Sequence, residues 1–130
     1  MAVNRSGVAA VRGEQYLTKK AQFELVHDEG SSWRSNAVVM RALPNGLGLS
    51  RYGFSVSRRV GKAVVRNRVK RLLREVLRQT SLQPGWDIIF IARPSAAETD
   101  YASLVKSVRG LLFRAGLLVG EYEGVGPGAN

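Results

Sequence analysis

Cysteine is absent from the 130 residues and histidine occurs once, as His27. The first absence excludes disulfide frameworks, thiolate metal sites and cysteine nucleophiles together, and it fits a reducing compartment. The second leaves too few imidazoles for most metal cages. Acidic residues are also scarce: 10 Asp and Glu stand against 20 Lys and Arg, a formal net charge of +10. Long apolar runs are missing. Ile88 to Ala92, the longest that looks strand-like, falls far short of the roughly 20 residues that cross a bilayer, so no membrane partnership is expected. Met1 to Gly13 carries Arg5 and Arg12 around no apolar centre and is not read as a signal peptide. Asn4-Arg5-Ser6 matches a glycosylation acceptor by pattern alone. What is present, 45% hydrophobic residues at one-domain length, supplies an ordinary core.

The basic excess is concentrated. Between Arg51 and Arg78 lie ten basic residues (Arg51, Arg58, Arg59, Lys62, Arg66, Arg68, Lys70, Arg71, Arg74, Arg78) and one acidic residue, Glu75, whereas the rest of the chain is close to balanced. A surface that serves solubility mixes both signs. A segment of one sign is the electrostatic footprint of a polyanion partner.

Residues 1–13 and 120–130 read as flexible ends, the latter rich in glycine, around a single domain over 14–119. Thr18 is placed to cap a short helix running to about His27, with Phe23 and His27 one turn apart on one face. Trp33 to Leu43 reads as one strand centred on Ala37-Val38-Val39-Met40, followed by a turn at Pro44-Asn45-Gly46. From Tyr52 to Ser57, Tyr52, Phe54 and Val56 alternate with Gly53, Ser55 and Ser57, which predicts a half-buried strand whose other face is small and polar.

The period then changes to that of a helix over Gly61 to Gln79. Val65, Val69, Leu72, Leu73 and Val76 share one arc; Arg68, Lys70, Arg71, Arg74 and Arg78 fall on the other, with Arg66 near the boundary. Trp86 to Ala92 is a nearly continuous apolar strand closed by Arg93-Pro94. Thr99 is read as the cap of a last helix carrying Tyr101, Leu104, Val105, Val108, Leu111 and Leu112 at helical spacing, with Gly116 at its C-terminal end. This order of elements predicts an α+β sandwich, helices packed over one sheet.

No catalytic or metal constellation is visible. A nuclease needs clustered carboxylates for metal ions, or a histidine with a partner acid or lysine. Asp28-Glu29 beside His27 is the only acidic pair near the histidine, and it falls at the end of a helix. Gly61-Lys62 is not the end of a phosphate-binding loop, because Val56 stands where its first glycine belongs and Ala63 where Ser or Thr belongs.

The stretch from Tyr52 to Glu75 reads Gly-x-Ser-Val-Ser, two basic residues, Gly-x-Ala-Val, then Arg-Asn-Arg and a Lys-Arg pair. It closely resembles the signature of the bacterial ribonuclease P protein subunit. Weaker correspondence runs from Leu17 and Phe23 through Asp87 to Arg93 and Leu111-Leu112, covering the chain from about Leu17 to Leu118. The resemblance implies a ribosomal-protein-like two-layer sandwich, with about four strands and an unusual left-handed βαβ crossover. It also implies a cytoplasmic protein that assists a catalytic RNA in removing the 5′ leader of precursor tRNA, the RNA supplying the active site and most of the bound Mg2+.

On that resemblance Arg58, Arg59, Lys62, Arg66, Asn67, Arg68, Lys70, Arg71 and Arg74 meet the catalytic RNA. Lys19, Phe23, His27, Val38, Ser55 and Ser57 line a cleft for the leader. No catalytic residue and no metal site is expected in the chain itself, and the expected state is a monomer bound 1:1 to the RNA. In the family the positions of His27 and Val38 often hold larger aromatics, and Tyr16 replaces a usual arginine. Forked guanidinium groups suit closely spaced phosphates. A basic groove with an aromatic face suits a single strand held without reading its sequence. Two other readings are a structural RNA-binding protein that confers no cleavage and an autonomous metal-dependent nuclease.

Overall fold

A computed structural model describes residues 16–120 and, upstream, the backbone of two short strands, β1 (Val3–Asn4) and β2 (Gly7–Val8), paired antiparallel. Otherwise the flexible ends expected at 1–13 and 120–130 lie, Gly120 apart, outside the described residues.

Helix α1 spans Lys20–Glu29. Its cap is Lys19 rather than the expected Thr18, because Gln22 reaches back to accept from the Thr18 and Lys19 amides, both at 2.9 Å. The single strand expected over Trp33 to Leu43 is instead a hairpin, β3 (Ser31–Arg34) and β4 (Val38–Pro44). Ser35 folds the chain between them: its amide donates to the Val38 carbonyl at 2.8 Å, and its hydroxyl oxygen accepts from the Val38 amide at 3.2 Å. Strand β5 (Arg51–Ser55) follows, then α2 (Ala63–Arg78), β6 (Trp86–Ala92) and α3 (Tyr101–Ala115). A 3₁₀ turn over Pro94–Glu98, not foreseen, precedes α3. The Thr99 hydroxyl closes that turn by donating to the Ser95 carbonyl at 2.9 Å. The cap of α3 is therefore Asp100, accepting from the Ser103 amide at 2.8 Å. Gly116 ends α3 at φ 76, as expected.

The sheet order is β3-β4-β6-β5, antiparallel except for β5 and β6, which are parallel neighbours joined through α2. Alternation divides its residues between two faces. Val38, Met40, Ala42, Tyr52, Ile88, Phe90 and Ala92 face α2 and α3, where Val69, Leu73, Val76, Leu77, Leu104, Val108, Leu111 and Leu112 complete the main core. The helix phase read from sequence differs at three positions: Leu77 is buried, and Val65 and Leu72 are only half-buried. On the opposite face Ile89 packs with Leu17 and Val26 of the α1 segment, with Phe23, Leu43 and Ile91 at the margin. The fold is thus a three-layer arrangement of α2 and α3, the sheet, and α1, and the thin third layer leaves part of the second sheet face open.

Candidate nucleic-acid interface

Helix α2 carries the charge because one arc is spent on the core. Arg71 and Arg74 project to solvent, as do Asn67 and Lys62, while Arg66, Arg68 and Lys70 are half-buried. Arg58 and Arg59 are exposed on the turn before the helix. Lys62 is the N-cap and the first turn holds no acidic residue, so the positive end of the helix dipole adds to the cations around it. Among the described residues two members of the basic segment are neutralised: Arg78 by Glu75, and Arg51 by Asp87, whose carboxylate accepts two bonds of 2.8 and 2.7 Å. Among the described residues the remaining cations of the segment carry no carboxylate partner.

Two arginines of the Arg-Asn-Arg motif also hold the fold. Nε of Arg66 donates to the Gly61 carbonyl at 3.1 Å and fixes the turn into α2. Arg68, expected to point wholly outward, lies against the 3₁₀ turn with Nη1 and Nη2 3.5 Å from the carbonyls of Ala97 and Thr99. At that length the contacts are weak. They orient the guanidinium while leaving donors for a phosphate.

The second feature is a groove of about 260 Å³ between α1 and the open sheet face, lined by Phe23, Glu24, His27, Asp28, Ser55, Ile89 and Ile91. Phe23 and His27 stand one turn apart on α1, and the exposed Lys19 lies one turn before Phe23. The Phe23 ring covers Gly53, so that glycine serves α1 packing and does not form part of an open small-residue face as expected. Ser55 borders the groove, and Ser57 is exposed just beyond β5.

Val38 must be withdrawn from the cleft. It is fully buried on the α2–α3 side, and Val39 occupies the groove side of β4. Ala37 to Met40 is apolar throughout, so alternation carries no phase there, and a shift of one residue exchanges faces. Sequence reading also missed the floor, Ile89 and Ile91, and the acidic wall, Glu24 and Asp28. Only a register or a helix placement identifies either.

Ser55, His27 and Asp28 share the groove, yet no hydrogen bond joins them among the described residues. Nor do three or more His, Asp or Glu side chains of the described residues gather closely enough to hold a metal ion. The described residues offer no donor set for a metal held by this chain. The geometry defines an α+β protein with a cationic helix on one side and a narrow aromatic-rimmed groove on the other, the equipment of a nucleic-acid-binding protein.

Comparison with known proteins narrows the class. Residues 11–116 match the family model described as Ribonuclease P. The chain is 48% identical over 102 residues to the ribonuclease P protein component of Dehalococcoides mccartyi, covering 78% of this chain and 85% of that one. Among solved structures, the RNase P protein of Thermotoga maritima superposes with a TM-score of 0.71 at 32% identity, covering 76% of this chain and 96% of that one. That of Staphylococcus aureus does so with a TM-score of 0.73 at 29% identity, covering 80% and 97%. The chain belongs to the ribonuclease P protein family, the protein subunits of the endoribonuclease that matures the 5′ end of tRNA.

Proposed function

We propose that this chain uses its two sides for two RNAs at once: the exposed arc of α2 with Arg58, Arg59 and Lys62 docks on the ribonuclease P RNA, and the groove under α1 holds the 5′ leader of precursor tRNA. The observation that carries this reading is their separation. Helix α2 packs on one sheet face and the groove opens on the other, the turn from Ser55 to Lys62 linking them. Neither RNA need displace the other.

The groove also suggests how the leader lies. Glu24 and Asp28 along its α1 wall repel phosphates. Bases therefore turn inward, against the Phe23 ring and the Ile89–Ile91 floor, where stacking is worth about 1–3 kcal/mol per base. Phosphates turn outward toward Ser57, Arg58 and Arg59. The chain contributes position and charge screening; the RNA contributes the active site and binds the Mg2+ that supplies the hydrolytic chemistry. The complex is a 1:1 assembly in the cytoplasm, and among the described residues no helix is long and apolar enough to cross a membrane.

The test is cleavage of a 5′-extended precursor tRNA at low Mg2+ by the protein alone, a bacterial ribonuclease P RNA alone, and both together. Cleavage at the mature 5′ end only with both, or strongly enhanced by both, is the expected result. Cleavage by the protein alone would establish an autonomous nuclease, and no gain over the RNA alone would leave a structural RNA-binding role. If about six phosphates are neutralised, log K for the catalytic RNA falls with log salt at a slope of roughly −4 to −5.

A further inference from the structure

The register of the sheet extends the groove beyond its named lining. Ser55 pairs with Ile91, Ile91 with Val39, and Val39 with Arg34, so these four residues form one row across all four strands. All four side chains stand on the face that α1 only partly covers, since alternation puts Val38, Phe90 and Phe54 on the other. The preceding row is closed: Gly53 lies under Phe23, and Arg41 is tied through Nη2 to the Gly30 carbonyl at 2.8 Å, at the end of α1. The Ser55 row remains accessible, with Ser55 and Arg34 exposed and Val39 and Ile91 half-buried.

Ser55 and Ile91 already line the groove. The row therefore continues the groove floor over apolar Val39 and ends at a cation. Three strand spacings separate its ends, about 14 Å, or about four nucleotides at the 3.4 Å rise of a stacked strand. The far end is more basic than one side chain. Nη1 of Arg93 donates to the Ser35 carbonyl at 3.0 Å, and Nη2 of Arg114 to the Arg34 carbonyl itself at 3.2 Å. Arg93 and, from the α3 side of the sheet, Arg114 thus bring two further positive charges to the backbone of the β3–β4 hairpin that carries Arg34. Among the described residues the ion pairs are Lys20–Glu24, Arg51–Asp87 and Arg78–Glu75, so none of the three is paired with a carboxylate.

We infer that Arg34, supported by Arg114, forms a distal phosphate site for the single-stranded leader, reached only by leaders long enough to cross the sheet along Ser55, Ile91 and Val39. The inference rests on the leader lying in the α1 groove. Its chemistry is complementary along the whole path: an aromatic ring and apolar floor where bases turn inward, then a phosphate-binding fork at the far edge. It makes Arg34 a residue that grades precursors by leader length rather than by leader sequence.

The experiment measures binding of two precursor tRNAs to the reconstituted holoenzyme, one whose leader ends within the Phe23 groove and one about four nucleotides longer. Parent, Arg34→Ala, Arg34→Glu and Phe23→Ala proteins are compared. The parent binds the longer leader more tightly, and Arg34→Ala loses about five- to tenfold for that substrate alone. Its salt slope becomes shallower by about one, and Arg34→Glu loses more. Because Arg34 is exposed and its carbonyl contact with Arg114 survives the substitution, folding is unaffected.

Equal losses for both leaders, or no loss for either, would overturn the distal site. A fall in catalytic-RNA affinity with Arg34→Ala would reassign the corner to that RNA. Phe23→Ala tests the groove separately and weakens both leaders if the groove reading holds. If Phe23→Ala changes neither while Arg34→Ala still discriminates length, the groove reading fails and the path along Ser55, Ile91 and Val39 falls with it, leaving Arg34 as a leader contact only.

Discussion

The Phe23 ring occupies the place where a Cβ on Gly53 would stand. A methyl built there lies 2.5 Å from Cζ and 2.7 Å from Cε1 of Phe23, too close for either to stay. Helix α1 therefore approaches the sheet as closely as it does because position 53 has no side chain, and the groove edge that Phe23 forms depends on that approach.

Gly53→Ala forces the ring aside rather than straining the backbone. The expected cost is about 1 kcal/mol, since a ring at the end of its side chain can swing away. The effect on function is larger, because the displaced ring enters the groove beside His27. Precursor affinity of the holoenzyme falls while affinity for the catalytic RNA is unchanged, as titration of each RNA separately would show. Equal losses for both would mean that the groove and the α2 face are not independent.

Arg71→Ala and Arg74→Ala remove exposed side chains that make no hydrogen bond or ion pair among the described residues, and each weakens catalytic-RNA binding without shifting Tm. Arg68→Ala differs, because its guanidinium also lies against the carbonyls of the 3₁₀ turn. It lowers both RNA affinity and stability, the latter by about 0.5–1 kcal/mol. Val69→Asp is the folding control: its position is 1% exposed, and an unpaired carboxylate there abolishes cooperative melting.

Arg51 illustrates why charge in a sequence is not charge on a surface. It pairs with Asp87, which also accepts from Asn45 Nδ2 at 2.9 Å and so pins the turn after β4. The hydrogen bonds that Arg51 itself donates to Asp87, with the charge of that carboxylate, raise the Arg51 pKa, so it remains charged throughout the accessible range. Asp87→Asn costs about 2–3 kcal/mol, allowing for partial exposure of Arg51, a fall of roughly 10 °C in Tm. Affinity for the catalytic RNA stays within error, which filter binding at fixed salt would verify.

Asp100 gives a pH-dependent signature. Hydrogen bonds from Ser103 hold its carboxyl below the usual carboxylate pKa. A depressed folded-state pKa contributes stability that is fully present above the unfolded value, about 3.9, and is lost as pH falls through the folded value. Melting of the parent and of Asp100→Ala therefore differs at neutral pH and converges in acid below about pH 3.9. A difference that persists undiminished there would assign the effect to packing rather than to the charged cap.

Several elements were legible because local chemistry alone specifies them. The amphipathic period of α2 separates Val69, Leu73 and Val76 from Arg71 and Arg74 whatever lies opposite. The strand at Trp86 to Ala92 is apolar enough to be buried on both faces, and Gly116 takes the positive φ that ends α3. The capping residues were displaced by one position: Thr18 to Lys19, because Gln22 takes the amides of both, and Thr99 to Asp100, because the Thr99 hydroxyl is engaged by the Ser95 carbonyl.

The amino-acid sequence by itself determined that this protein is a small cationic α+β domain, that its charge gathers on one helix, and that its signature is that of ribonuclease P proteins. Those properties depend on composition and on spacing within single elements. Only the tertiary structure decided which valine of Val38-Val39 faces the groove, that Gly53 is closed by Phe23, that Arg51 is spent on Asp87, and that Arg34 stands in line with Ser55. Each of those is a relation between residues far apart in the chain. Pairing register and helix approach set them, and no local preference encodes either.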